Sequence, residues 1–408
     1  MTDPLALGSV RGRAHRHGRA ALAVGFFVQG VVFALLVTRI PAIQDRYGIS
    51  DAMLPVFLAA VPVLAGAGSV GAELLVRRYR AGVVLRAVQP VVGLALLAAG
   101  SGHAVWQLGA ALTVFGLAVG ALDASMNMLG VGLQAAYGRS IMLGFHAAYS
   151  LGGIIGASLA WWGAHEDLSL AVLYAPAVAV LVPVGLVAGH WFTEGPGSPA
   201  SDGAEQEARP VGMRMLLPLC MVMAFAYIGD STVSNWSAKY LEDVLHSSEQ
   251  LATVPYSVYM ATTLVGRAFG DLGVRRFGAV AVVRTGALLS AGGFAVVAAA
   301  PGPWTGLAGF TLLGLGLCVV VPQTFAAAGR LFPQSAQSAI ARLNIFNYVG
   351  FLVGSPLVGA LGEAWSYRGA MLVPMVLVLA IVSRAPAFAA GGGRYGDGHE
   401  RPRAVDVG

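Results

Sequence analysis

A small set of polar and ionisable side chains lies inside long apolar stretches, and their types and spacing limit the chemistry open to them. Asp230, in AFAYIGDSTVSNW, offers a carboxylate that can bind a substrate or take up and release a proton. Its plainer role is that of a hydrated residue in an outer vestibule. Asp123 and Asn127, in ALDASMNML, stand one helical turn apart and project from one face. That pair suits recognition of a hydroxyl or an amine, or proton coupling, as well as a simple hydrogen-bonded pair. His146 and Tyr149 are also one turn apart, and an imidazole changes charge in the physiological range. A hydrogen bond to a neighbour serves a lone His equally well, and contact between Asp123 and His146 is compatible with the sequence.

Gln29, Gln323 with Thr324, and Asn344 with Asn347 and Tyr348 suit a solute bearing hydroxyls or carbonyls. Interhelical hydrogen bonds, worth about 0.6 kcal/mol each, are the simpler role for any one of them. Arg267 and Asp271, at i and i+4, are expected to form a local ion pair, either as an anchor or as a latch on the inner side. Other chemistries lack their signatures. The sequence has no GxxxxGK[ST] phosphate loop, HExxH, CxxC or suggestive Ser-His-Asp spacing. ATP drive, an enzymatic activity, a cofactor and a metal site are therefore not expected. Cys220 and Cys318 read as apolar packing residues.

The elements that position these side chains follow from composition. Of 408 residues, 57% are hydrophobic and 11% are charged, against about 25% charged in a soluble domain. So few charges cannot cover a water-facing surface. A bilayer admits only helices or closed barrels, because every backbone group must be satisfied internally. The apolar runs are long and continuous, not alternating, so the expected fold is an all-α integral membrane bundle. A span needs about 20 residues. Twelve runs qualify: 20–38, 53–76, 83–101, 106–133, 141–162, 169–190, 214–237, 250–273, 279–299, 304–328, 338–361 and 368–388. The Arg-rich stretch 1–19 resembles a signal sequence, but a full-length apolar run follows without a clear cleavage site. It reads as the start of an uncleaved first span.

Basic residues orient the bundle. With both termini in the cytoplasm, 20 Arg residues fall on the inner side. Only Arg39, Arg46, Lys239 and Arg368 fall outside, and Arg267 lies within a span. The expected location is the cell inner membrane. Topology and contact with anionic lipid account for the net charge of +5, and no nucleic-acid partner is expected.

Residues 193–213, rich in Gly, Pro, Ser and acids, form an expected cytoplasmic linker. It separates a basic N-terminus (1–19) and a first six-helix bundle (20–192) from a second bundle (214–388) and a tail (389–408). The halves echo each other: RRYRAGVVLRA (77–87) against RRFGAVAVVRT (275–285), and HAAYSLGGIIGA (146–157) against FNYVGFLVGSPLVGA (346–360). Such duplication is expected where two bundles rock about a central site. Gly152/Gly156, Gly266/Gly270 and Gly350/Gly354 are spaced for close helix contact.

With six plus six spans, a middle linker and basic loops after spans two and eight, the chain resembles the major facilitator superfamily over residues 20–388. GRAFGDLGVRRFGAVAVVR (266–284) looks like the superfamily's loop signature, on Gly266, Arg267, Gly270, Asp271, Arg275 and Arg276. The first-half counterpart, on Gly71, Arg77 and Arg78, is degenerate: the usual acid near the helix end is missing, although Glu73 lies close by. RIPAIQ (39–44) and WSAKYL (236–241) are similar to a bacterial branch of permeases. Span five has no Gly-Pro motif of the drug-antiporter kind. The resemblance implies two pseudo-symmetric bundles, a monomer, and a secondary transporter of a small organic solute, with protons as the expected coupling partner. Efflux of a metabolite or drug is the first expectation. Uptake of a sugar-like solute, or a transport-dead sensor on the same fold, is the alternative.

Overall fold

The computed structural model describes residues 4–50, 53–194 and 211–389. Most of the expected linker and of the expected tail lies outside the described residues. Among those described, the regular structure is helical throughout, as a chain that must satisfy its own backbone in lipid requires. Among the described residues, eleven helical stretches are long and apolar enough to cross a bilayer. The remaining long helix, Val254–Phe277, carries Arg267, Asp271, Arg275 and Arg276 and completes the twelve. The first helix begins at Pro4, so the basic N-terminal stretch runs into span one without a break.

Spans ten and twelve each divide into two helices, and proline explains both divisions. Span ten is two helices, Pro303–Leu317 and Val320–Leu331. Pro322 has no N–H to give the Cys318 carbonyl, and its ring crowds that same group. Span twelve divides likewise into Tyr367–Ala370 and Leu372–Arg384, with Pro374 placed against the Ala370 carbonyl. After span one a short helix, Ile40–Tyr47, carries the PAIQ residues. It ends at Gly48, whose φ of 61° suits a residue without a Cβ.

The helices group into two compact units. The first holds residues 1–136, 145–210 and 334–352; the second holds 137–144, 211–333 and 353–408. Within the first, span three packs on span six and span one on both. Within the second, span nine packs on spans ten and twelve, and span eight on span ten.

Close approach at glycine brings helices together. In the first unit a Cβ at Gly152 would strike the Phe27 carbonyl, and one at Gly120 the Ala65 carbonyl. These contacts join span five to span one and span four to span two. The second unit repeats them: Gly354 of span eleven meets the backbone of Ile228 in span seven, and Gly314 of span ten meets Tyr259 in span eight. Of the glycine pairs expected to mediate close contact, Gly152 and Gly156 both rest on the span-one backbone. Gly266 faces the Cys318 side chain and Gly270 the Leu143 side chain.

The four basic residues that the sequence assigns to the outer face also have partners. Arg46 donates to the carbonyls of Ser101 (3.3 Å) and Gly102 (2.9 Å) at the end of span three. Arg368 donates to Ala298 (3.1 Å) and Ala300 (2.7 Å) at the end of span nine. Arg39 reaches the Leu168 carbonyl at 3.3 Å, and Lys239 pairs with Asp243 at 2.6 Å. A cation at a helix C-terminus meets carbonyls that have no helical donor and the negative end of the dipole. The tyrosines repeat the pattern. Tyr47 donates to Ala99 at 2.7 Å and Tyr240 to Val297 at 2.8 Å. Tyr240 is thus a buried anchor at the end of span seven.

Gly120→Val should lower thermal stability in detergent by about 1–3 kcal/mol, the usual cost of forcing bulk into a closed contact. Gly109→Ala, where a Cβ meets open space in the same helix, should leave it unchanged or raise it.

Candidate functional site

The first unit builds a polar cluster around Asp123. Gln29 of span one donates through Nε2 to Asp123 Oδ1 at 3.2 Å. Tyr348 of span eleven donates its hydroxyl to Oδ2 at 3.1 Å, and Asn347 Nδ2 reaches the same oxygen at 3.5 Å. The network continues outward. Asn347 also donates to Asn344 Oδ1 (3.3 Å), and Asn344 donates to Ser69 Oγ (2.9 Å). Ser69 returns to the carbonyls of Ala65 and Gly120, both at 3.1 Å. Gln29, Ser69, Asn344 and Asn347 are buried. Gly120 is one of the residues through which span four touches span two, so a contact that sets the helix spacing also anchors the network.

Asn127, one turn from Asp123, donates to the main-chain carbonyl of Asp123 at 2.9 Å, so the pair on one face does not meet side chain to side chain. These donors to the Asp123 carboxylate come from spans one and eleven. His146 is buried, and its ring lies 5.3 Å from that of Phe26. Tyr149 contributes its backbone, which lies against Gly30.

The second unit centres on Asp230. Tyr259 of span eight donates its hydroxyl to Asp230 Oδ1. Tyr256, one turn earlier, stacks on Tyr259 with ring centres 6.3 Å apart and pairs with Ser234. The Arg267 charge acts on Asp230 from the same helix. Its Nε donates to the Cys318 carbonyl at 3.4 Å, the group that Pro322 deprives of its helical donor. The break in span ten therefore supplies a seat for Arg267.

Asp271 does something else than expected. Instead of pairing with Arg267, it faces the start of span five, Met142–His165. It accepts from Ser140 Oγ at 2.6 Å and from the backbone N–H groups of Leu143 (3.4 Å) and Gly144 (2.9 Å). A carboxylate there satisfies donors that the first turn leaves open and complements the dipole. Arg275 clamps the same turn, with two bonds to the Ser140 carbonyl at 3.1 and 2.7 Å. Gln323 donates to Ser140 Oγ at 3.4 Å, so its amide joins this cap and not the Asp123 cluster. The first-half stretch is built differently. Glu73 stands four residues before Arg77, as Asp271 stands four before Arg275, but it pairs with Arg77 at 2.9 Å. Arg78 and Arg276 each lie over the following aromatic ring, at 5.8 and 5.3 Å. Gly71 faces open space.

Three partners escaped the sequence reading. Tyr259 had a signal, because Tyr256 and Tyr259 share a face of span eight. Ser69 and Ser140 had none, since a hydroxyl in a small-residue run looks like packing, and Ser140 lies 131 residues from its partner in sequence.

Known proteins bear on this geometry. A profile of the Major Facilitator Superfamily matches residues 219–390. An uncharacterised MFS-type transporter of Yersinia pestis is 30% identical over 375 residues, covering 89% of this chain and 94% of that protein. Membrane protein MosC of Rhizobium meliloti is 27% identical over 374 residues, covering 90% of this chain and 89% of that one. The crystal structure of the transporter FucP in an outward conformation superposes with a TM-score of 0.79 at 17% identity, over 93% of this chain and all of that one. The proton:xylose symporter XylE bound to a bromodeoxyglucose gives 0.74 at 12% identity, over 91% of this chain and 95% of that one. At such identities these two structures establish the fold.

Asp271→Ala should reduce stability in detergent by about 0.5–2 kcal/mol, the range for a lost helix cap. Asp271→Asn, which keeps an acceptor oxygen, should recover part of that loss in the same thermal unfolding measurement.

Proposed function

The chain belongs to the major facilitator superfamily of membrane transporters, and from that premise we propose that it moves a small polar organic solute by alternating access, driven by the proton gradient. The observation that carries this reading is the pair of carboxylates inside apolar helices, Asp123 and Asp230, each held by uncharged hydrogen-bond donors within its own unit. A carboxyl group kept in a span despite an insertion cost of about 2.5–3.5 kcal/mol is a functional candidate by default.

The two are given different work. Asp230 is the proton carrier: a single phenol donates to it, and the Arg267 charge acts on it and can take over as its counter-ion when the proton leaves. The Asp123 cluster, with Gln29, Asn344, Asn347 and Tyr348, is the polar lining that recognises the solute. His146 and Tyr149 of span five are further candidates for this lining. The Asp271 cap and the Arg275 clamp are the latch that holds the start of span five and is released as access alternates. Both termini are placed in the cytoplasm, the protein in the cell inner membrane, and the working unit is a monomer.

Transport outward, of a metabolite or drug, is the first reading of direction, because the spans carry few charges and suit a neutral or amphipathic solute. Uptake of a sugar-like solute is the second. Its support is the amide and phenol chemistry around Asp123, together with the shared fold of a fucose:proton symporter and a proton:xylose symporter.

Candidate solutes are selected by thermal shift on purified protein, since a ligand of the native state raises apparent stability. Flux is then measured in proteoliposomes with an imposed pH gradient. Asp230→Asn should abolish the acceleration by the gradient while leaving exchange of solute across equal pH intact. Gln29→Leu should weaken binding of the selected solute about tenfold, a loss of ~1.4 kcal/mol. Gradient-driven flux that persists unchanged in Asp230→Asn would refute the assignment of the proton.

A further inference from the structure

In the second unit one aromatic ring is exposed on a helix side that is otherwise buried. Span eight, Val254–Phe277, has two faces. Ala261, Val265, Phe269 and Leu272 recur every three or four residues and are exposed, the stripe that a spanning helix turns to lipid. Pro255, Tyr259, Thr263 and Val274 lie on the other side and are buried. Tyr256 belongs to that buried side by position. It precedes Tyr259 by three residues, Thr263 by seven and Val274 by eighteen, the last being five full turns at about 3.6 residues per turn. Yet Tyr256 is 41% exposed, against 2% for Tyr259. An interfacial aromatic anchor would stand on the lipid stripe. Ring surface exposed on the opposite side, in the first turn of the span, faces water.

The ring is also held in place. Tyr256 and Tyr259 stack with ring centres 6.3 Å apart and planes 25° from parallel. The Tyr256 hydroxyl pairs with Ser234 of span seven. Ser234 donates to the main-chain carbonyl of Asp230 at 2.9 Å, and Tyr259 donates to Asp230 Oδ1. Ring and hydroxyl of Tyr256 are thus both tied to the turn of span seven that carries Asp230. A fixed aromatic face loses little freedom when it is covered, which suits it to pack against another flat group. The charges that act on it, Asp230 and Arg267, are one of each sign. Their sum does not select a cation over a neutral molecule.

We propose that the exposed ring of Tyr256 is a solute contact of the second unit, and that it takes the solute by a flat ring face, aromatic or pyranose. This rests on the proposed function only in taking a solute to enter the protein, and it makes no use of the proton assigned to Asp230. Tyr259 lies between the covered ring and Asp230, so a solute on Tyr256 has a packed route to that carboxylate.

The test uses the full-length protein. In proteoliposomes a membrane-impermeant maleimide should label Tyr256→Cys and leave Val265→Cys, on the lipid stripe, unlabelled; the native Cys220 and Cys318 are buried. In detergent, thermal unfolding is followed against benzamide, methyl glucopyranoside, sorbitol and tetramethylammonium chloride. A saturable rise in the midpoint is expected with benzamide or with the pyranoside, and whichever acts identifies the ring. Sorbitol, an acyclic polyol, should give no saturable rise. Tyr256→Leu should move half-saturation about tenfold higher, and Tyr256→Phe, which keeps the ring, should stay within about twofold of the native protein. Equal labelling of the two cysteines, no saturable rise with either ring, a saturable rise with sorbitol or with tetramethylammonium alone, or a ring effect unchanged in Tyr256→Leu would each overturn the proposal. None of these arms measures gradient-driven flux, so a failed ring contact and a failed proton assignment are read separately.

Discussion

Inside a bilayer no water is available to complete an unfinished hydrogen bond, and the rest of this structure depends on that constraint. It makes each polar atom in a span informative, because its partner must come from the protein or from what the protein carries. Helix ends illustrate the rule at the margins. Asp271 meets N–H groups at the start of span five, while Arg46 and Arg368 meet carbonyls at the ends of spans three and nine. Where a proline removes a backbone donor, a side chain fills in: Arg267 bonds the Cys318 carbonyl that Pro322 cannot serve.

The same constraint explains the use of glycine. Lipid offers no strong hydrophobic drive for helices to associate, so close packing must do more of the work. Gly120, Gly152, Gly314 and Gly354 bring backbones together in matching positions of the two halves. Gly120 does this and also supplies the carbonyl that holds Ser69, and Ser69 in turn accepts from Asn344. Packing and polar recognition are therefore parts of one network, and a change in helix spacing would be felt at Asp123.

The two carboxylates show how similar residues acquire different character. Asp123 is surrounded by several uncharged donors, with amide oxygens left over. Asp230 has one phenol and the field of an arginine. Likewise the halves carry the same acid-to-arginine spacing with opposite outcomes, since Asp271 caps a helix while Glu73 pairs with Arg77 along its own. Duplication preserved the frame and let the side-chain partners diverge.

Much of the fold was legible in the residues alone. Long apolar runs, the scarcity of charge and the repeated RRYRAG and RRFGAV stretches determine helices, their number and their family, because insertion into lipid is governed by local composition. The prominence of Asp123, Asp230 and the span-eleven amides was legible for the same reason: a polar group in an apolar run is conspicuous. What only the tertiary structure decided is which of them meet. Gln29 and Asp123 are 94 residues apart, and Asp123 and Tyr348 are 225 apart. Spacing within a helix predicted Arg267 with Asp271 and Asn127 beside the Asp123 carboxylate. Arg267 turned to the distant Cys318 carbonyl and Asp271 to an open helix end, while Asn127 met the main-chain carbonyl of Asp123 one turn away and not its carboxylate. Local sequence sets which face a side chain leaves from, and only the packing of distant helices sets what it finds there.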